Sequence, residues 1–212
     1  YAVTVNAPLA DGTVITNTAS VTCTQVPTPI TAVVTTTIRN PVFTLTKQTD
    51  GHWTRRVKLT FTNTAQAENL TNFPVLVVLN SGRIDYSQTQ DSGQDIRFVD
   101  ADGTTLLPHE IERWNESGTS YVWVKVPQIN GGSNTDYIWM YYGHASAPDG
   151  QDAVNVWTNN YRMVYHLNED PSSTGGILWD STSNGFDATN QGSTNAVGFI
   201  AGAREFNGMN QY

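Results

Sequence analysis

Two glutamates separated by one residue are the side chains of this sequence best suited to catalysis. Glu110 and Glu112 lie in an alternating stretch, and alternate residues of a β-strand point to the same face. Two carboxylates about 5 Å apart can serve as nucleophile and acid–base of a retaining glycosidase. The stretch as far as Trp114 holds no third acid. We therefore interpret the pair as structural and expect Arg97 and Arg113 to be its ion-pair partners.

A second pair of carboxylates could bind a metal ion. Asp100 and Asp102 precede Gly103, and alternating oxygen ligands of this kind wrap Ca²⁺ in loop sites. The next residues bring neither another acidic ligand nor a distal glutamate. Since Asp and Gly also dominate tight turns, we favour a turn between two strands. Calcium is the one cofactor that stays open.

Histidine and serine form no recognisable catalytic motif. The four histidines are His52, His109, His144 and His166; none are paired at zinc-ligand spacing, and no Gly-x-Ser-x-Gly turn occurs. We predict that His166 lies in a strand. There we expect it to be a hydrogen-bonded structural histidine rather than a base.

Aromatic residues suggest a surface for sugars. Trp123, Trp139 and Tyr141 lie in alternating segments, and aromatic faces can stack on the apolar faces of sugar rings. Trp114 stands among charged residues, so it is the aromatic that we expect to be most exposed. These four form the candidate glycan site. The alternative is that the strand aromatics belong to the core.

Composition narrows the class of protein. Charged residues make up 14% of the 212 residues and the net charge is −8, so the chain lacks the basic field that would attract a nucleic acid. Abundant Thr, Val and Tyr favour strands over helices. No apolar run is long enough to span a membrane. The lone cysteine, Cys23, excludes an intrachain disulfide and is expected to be buried.

Turn signals and alternation predict an all-β chain of serial β-sandwich modules. Residues 1–48 form an Ig-like segment with strands over 1–5, 14–24, 32–38 and 42–46, interrupted by Pro27 and Pro29. Residues 51–157 form the central sandwich, in which the nearly continuous apolar run 73–79 is expected to be buried on both faces. Residues 160–212 form a third, incomplete segment.

The central unit resembles the DUF2341 family. Its phrases occur in family order over about a hundred residues: Asp95–Phe98, Asp100–Gly103, Leu107–Glu112, Val122–Pro127 and Ile138–Gly143. The resemblance implies an extracellular β-rich module, with a jelly-roll-like sandwich, in large prokaryotic surface proteins. It implies no reaction.

The flanking segments resemble other surface modules. Residues 11–21 are similar to the closing strands of DUF11-type Ig-like stalk repeats. Residues 165–169, 180–185 and 203–208 are similar to the start of a laminin-G or concanavalin-like lectin domain. That second resemblance implies a calcium site at Asp180 and Asn184, whose remaining ligands would lie beyond Tyr212.

These features together predict a non-catalytic structural or adhesive protein of a prokaryotic cell surface, located outside the cell. Its expected partners are neighbouring copies, joined by strand complementation into a stalk or filament. Surface glycans are a second expected partner, whereas a nucleic acid and a membrane span are not expected. The alternative function is a carbohydrate-binding module, and a glycoside hydrolase is a more distant alternative.

Overall fold

The computed structural model describes residues 14–23, 26–37, 53–170 and 172–210, and in the first two ranges it describes the backbone alone. The chain divides into two compact units, 1–46 and 47–212. The strands predicted over 1–5 and 42–46 lie outside the described residues, as does His52.

The first unit contains an antiparallel pair of strands, β1 (Val14–Cys23) and β2 (Val26–Thr37). The prediction of a strand over 14–24 is therefore confirmed. The predicted break at Pro27 and Pro29 is wrong, because both lie within β2. The register shifts between Val21 and Cys23, so the prolines fall where the ladder is irregular, which is where a strand tolerates a missing N–H.

The second unit contains a sandwich of two antiparallel sheets, which confirms the all-β prediction. In the part of the chain that the structure describes, its strands are β3 (Arg55–Thr60), β4 (Leu70–Leu79), β5 (Arg97–Asp100), β6 (Leu106–Leu107), β7 (His109–Arg113), β8 (Ser120–Ile129) and β9 (Tyr137–Tyr142). One sheet has the order β3-β9-β5-β6 and the other the order β4-β8-β7. A single turn of 3₁₀ helix, Tyr86–Gln88, follows β4.

The core lies between these sheets because their strands alternate apolar and polar residues. In β8, Val122, Val124 and Val126 are buried, while the residues between them are half-buried. In β9, Ile138 and Met140 are fully buried in the same way. The alternation read from the sequence therefore gives the correct inner face for both central strands.

The predicted turn at Asp100–Gly103 is confirmed. It joins β5 to β6, with Phe98 opposite Leu107. Gly103 has a φ of 74°, a left-handed conformation that glycine adopts without strain. This hairpin holds β6 at the edge of the four-stranded sheet.

The expectation that residues 73–79 are buried on both faces is wrong. Val77 and Leu79 are buried, but Leu76 and Val78 are half-buried and Phe73 is 41% exposed. The reason is topological: β4 is the edge strand of a sheet that is covered on its inner face, so a continuous apolar run need not mean a central strand.

Residues 153–210 follow the sandwich as short elements. They comprise α1 (Ala153–Val156), the hairpin of β10 (Ile177–Leu178) with β11 (Ala188–Thr189), and the hairpin of β12 (Thr194–Val197) with β13 (Gly202–Glu205). His166 lies in an irregular segment, so its predicted strand is wrong. Across the described ranges, no helix is long and apolar enough to cross a membrane.

A buried carboxylate fixes one end of the sandwich. Asp95 is fully buried and accepts hydrogen bonds from the backbone N–H groups of Gln90 (2.9 Å), Gly143 (2.8 Å) and His144 (3.0 Å). These residues precede β5 and follow β9, which are neighbours in the sheet. The carboxylate thereby supplies the acceptors that one buried and two partly buried donors would otherwise lack.

We predict that Asp95→Ala lowers the free energy of unfolding by about 3 kcal/mol, since it leaves buried N–H groups unpaired. The matched control is Asp85→Ala, which removes an exposed carboxylate that accepts the Ser87 N–H at 3.2 Å and should cost about 1 kcal/mol or less. Urea unfolding of both variants makes the comparison. Equal losses would contradict this account of Asp95.

Candidate functional site

The two glutamates singled out in the sequence lie on β7 and meet the same histidine. Glu110 is opposite Trp123 of β8, and the β7–β8 register shifts between Ile111 and Arg113, around Glu112. Both carboxylates contact the imidazole of His166. We call Glu110, Glu112 and His166 the glutamate–histidine clamp.

Glu110 accepts hydrogen bonds from three residues distant in sequence. Its Oε2 accepts from Trp157 Nε1 at 2.6 Å and lies 3.1 Å from His166 Nε2. Its Oε1 accepts from Ser181 Oγ at 2.6 Å. Both oxygens of this carboxylate are therefore occupied by protein donors.

Glu112 is held in the same manner. Its Oε2 accepts from Trp123 Nε1 at 3.0 Å and contacts His166 Nδ1. Its Oε1 accepts from Asn168 Nδ2 at 2.8 Å, and the same amide donates to the Glu112 carbonyl at 3.1 Å. The side chain of Glu112 is only 4% exposed.

The contacts set the charge of His166. Burial alone would lower its pKa, but hydrogen bonds and the negative charges of Glu110 and Glu112 outweigh burial and raise the pKa to about 10. Burial would raise the pKa of Glu110, yet the hydrogen bond and charge of His166, with Ser181 and Trp157, lower it. At neutral pH the clamp is an imidazolium between two carboxylates, and its imidazole has no lone pair to act as a base.

A cavity of about 350 Å³ lies beside the clamp. Glu112 and His166 form its polar part. Its aromatic lining consists of Trp123, Trp157, Tyr165 and Phe199. Phe199 is fully exposed, in the loop between β12 and β13. This combination of aromatic walls and a few fixed polar groups is typical of small-molecule pockets.

The arginines expected to pair with the glutamates do not do so. Arg97 is buried and donates to the carbonyls of Gln94 (2.8 Å), Ile96 (2.7 Å) and Pro148 (2.7 Å). Desolvation by burial lowers the pKa of its guanidinium, while Asp149 and Asp95 act in the opposite direction. Arg113 is exposed. The cation that pairs with Glu110 and Glu112 is therefore His166 and neither of the two arginines.

The four candidate glycan aromatics do not form one platform. Trp123 is on β8 beside the clamp, whereas Trp139 and Tyr141 are on β9 in the other sheet, and all three are half-buried. The guanidinium of Arg56 lies 4.4 Å from the ring centre of Trp139 and so covers one of its faces.

Trp114 is half-buried rather than the most exposed aromatic. It packs edge-on against Tyr86 at 5.3 Å between ring centres. It also lies so close to Gly93 that a Cβ there would be 2.7 Å from the indole. Phe199, Phe186 and Trp179 are more exposed. Its charged sequence neighbours misled the prediction, because the indole turns back onto the core cluster.

Asp100 and Asp102 organise the turn that contains them. Asp102 accepts from the N–H groups of Thr104 and Thr105, both at 2.8 Å, and from the Thr105 hydroxyl at 2.5 Å. The hydrogen bonds from Thr105, followed by that from Thr104, lower the Asp102 pKa to about 2. Asp100 accepts from the N–H of Ala101. Within the described ranges, no three His, Cys, Asp or Glu side chains gather in a metal-binding group.

Asp180 organises the backbone around it in the C-terminal segment, as Asp102 does in its turn. Its carboxylate accepts from the N–H groups of Val164 (2.9 Å), Thr182 (3.0 Å) and Phe186 (3.0 Å), and from the Thr182 hydroxyl. Asn184 donates to the carbonyls of residues 161 and 162. The phrase that suggested a calcium site therefore links residues 161–164 to 180–186.

Sequence reasoning missed Trp157, Asn168 and Ser181. They are 47, 56 and 71 residues from the glutamates that they contact. They follow no local spacing rule, so only the fold brings them together.

Comparison with known families gives a match in the second unit. Residues 92–190 match the family model described as "Domain of unknown function (DUF2341)". Neither the curated proteins nor the solved structures gave a match. The matched range contains both glutamates of β7, the histidine between them and Ser181. This part of the chain is thus similar to DUF2341, and the similarity covers the whole clamp.

The clamp should give the protein a bounded pH range of extra stability. Because the pKa of His166 is raised, its contribution to the free energy of unfolding is complete below pH 6.5 and declines as pH rises towards 10. The lowered pKa of Glu110 means that its contribution is present above pH 4.5 and lost as pH falls further. The free-energy difference between wild type and His166→Gln should therefore be largest at pH 4.5–6.5, at about 2 kcal/mol after solvent screening.

Urea unfolding of both proteins at pH 3 to 10 measures that difference, and His144→Gln, a buried histidine on another loop, is the control. A difference that is constant across this range would contradict the charged clamp.

Proposed function

We propose that this protein is a non-catalytic structural and adhesive component of a prokaryotic cell surface, acting outside the cell as a stalk, adhesin or filament subunit. The observation that carries the proposal is the occupation of both β7 carboxylates by protein donors. A glycosidase needs one carboxyl to donate a proton and another to attack the substrate. Glu110 and Glu112 instead hold Trp157, His166, Asn168 and Ser181 against the sandwich.

Composition and surface support this proposal. The chain is acidic, with few charged residues, and its second unit is a β-sandwich. Four strongly exposed apolar side chains lie from the last residue of β12 onwards: Val197, Phe199, Phe206 and Met209. Apolar surface of this kind typically marks a contact with another polypeptide. Neighbouring copies that complement one another's strands would cover it and link subunits head to tail.

Carbohydrate binding is the second candidate, and the cavity beside the clamp favours it. Trp123 and Tyr165, both half-buried, provide aromatic surface in its lining. Such a pocket would suit one or two sugar rings. In this role the clamp would shape a binding site and would not transfer protons.

Glu110→Gln tests catalysis and stability together. Wild type and Glu110→Gln should release equal, background amounts of reducing ends from a panel of polysaccharides. Glu110→Gln should nevertheless lose about 3 kcal/mol of stability, because a buried ion pair is broken, and residues 157–190 should become more sensitive to protease. Glu205→Gln, at an exposed position, is the control. Sugar release by wild type that disappears in Glu110→Gln would overturn the proposal.

The second prediction concerns the cavity. If it binds glycans, Phe199→Ala should weaken binding on a glycan array by about two- to tenfold, because one stacked ring contributes about 0.5–1.5 kcal/mol. Val197→Ala is a matched control, since Val197 is equally exposed but outside the cavity lining. Both side chains are at the surface, so folding should be retained. Binding that is equal in the two variants would exclude this cavity as the glycan site.

A further inference from the structure

The two strands that border the open side of the sandwich differ in their free edges. β3 and β4 are each the terminal strand of their sheet. Phe61 N–H donates to the Asp136 carbonyl at 2.8 Å. Since this pair continues the β3–β9 register, the backbone N–H and C=O groups of the odd-numbered β3 residues point towards β9. The backbone groups of Arg56, Lys58 and Thr60 therefore point away from the sheet, and no hydrogen bond within the described residues reaches them.

The free edge of β4 is blocked. Lys125 N–H donates to the Pro108 carbonyl, so the odd-numbered residues of β8 form their backbone hydrogen bonds with β7 and the even-numbered ones with β4. In the β4–β8 register, the backbone groups of the even-numbered β4 residues therefore point away from the sheet. At these positions Pro74 has no N–H, the Val78 carbonyl accepts from Arg83 at 2.9 Å, and the Asn72 carbonyl accepts from Asn159 at 2.8 Å. Proline on an edge strand hinders strand addition, and a carbonyl that already accepts a side-chain hydrogen bond is occupied. β3 carries the charged residues Arg56 and Lys58, but within the described residues it has no proline, and no side chain occupies its outward backbone groups.

A slot of about 400 Å³ lies between the two strands, and both apolar and polar residues line it, Lys58, Thr60 and Arg83 among them. Its apolar lining includes Val57 and Leu59 of β3, Phe61 directly after β3, and Val75 and Val77 of β4. All but Val77 are only partly buried, although they pack against the core. A strand added to β3 would direct alternate side chains into this slot.

The opposite face of β3 is positively charged. Arg56 and Lys58 lie over Trp139 and Tyr137 at 4.4 and 3.8 Å from the ring centres. The ion pairs found among the described residues involve neither cation. Side chains of an added strand on this face would lie beside Arg56 and Lys58, where acidic residues would be favoured. In a chain with a net charge of −8, this is a local reversal of sign.

We propose that the free edge of β3 binds an extended segment of another protein, in which apolar residues alternate with acidic ones. The backbone of that segment pairs with Arg56, Lys58 and Thr60, its apolar side chains enter the slot, and its acids face the two cations. This acceptor site is formed by β3 and β4, does not involve the clamp, and holds whether or not the proposed surface role is correct.

The test uses the full chain and a labelled hexapeptide of alternating valine and aspartate. Binding should protect the amides of Arg56, Lys58 and Thr60 from hydrogen exchange and should weaken with salt. The valine amides lie on one edge of an extended peptide and the aspartate amides on the other. N-methylation on the edge that faces β3 should abolish binding, and N-methylation on the other edge should not.

In the protein, Lys58→Pro should weaken binding more than tenfold, whereas Lys58→Ala, which keeps the N–H, should weaken it a few-fold.

Three results would overturn the proposal, and the peptide arms remain decisive even if Lys58→Pro fails to fold. The first is binding that ignores which edge is methylated. The second is full protection of the three β3 amides in the free monomer, which would mean that the edge is already paired within the chain. The third is protection that grows with protein concentration without peptide, which would identify a second copy as the occupant.

Discussion

Burying two carboxylates on one short strand is the constraint on which this site depends. Glu110 and Glu112 are mostly covered, and a covered carboxylate needs donors for its oxygens. β7 itself cannot supply them, so they come from β8 and from the chain after α1. The need for donors thereby fixes where Trp157, His166, Asn168 and Ser181 lie on the sandwich. Short elements with little core of their own are held by hydrogen bonds and one imidazolium.

The same need shapes the segments that precede β5 and follow β9. Asp95 accepts hydrogen bonds from backbone donors of both segments, and Arg97 donates to three carbonyls nearby. Such networks are costly when incomplete and rigid when every member is satisfied. A module that uses its acids and cations in this way gains defined geometry rather than reactive groups, which fits the proposed role in holding and linking.

Local patterns predicted most of the fold. Alternation of Val122, Val124 and Val126 identifies the inner face of β8, and an Asp–Gly turn identifies the β5–β6 hairpin. The same logic failed for residues 73–79, because an apolar run does not reveal whether a strand is central or at an edge. The common face of Glu110 and Glu112 could be predicted from their spacing. Their partner could not, because Arg97 was nearer in sequence and His166 is brought in by the fold.

The protonation of His166 is the direct measure of the clamp. Nitrogen-15 chemical shifts of the imidazole, recorded from pH 5 to 10, distinguish the charged ring from either neutral tautomer. We predict that both ring nitrogens carry protons at pH 8, as the raised pKa of about 10 requires. A neutral imidazole at pH 8, with one unprotonated nitrogen, would contradict the clamp and reopen a role for His166 as a base.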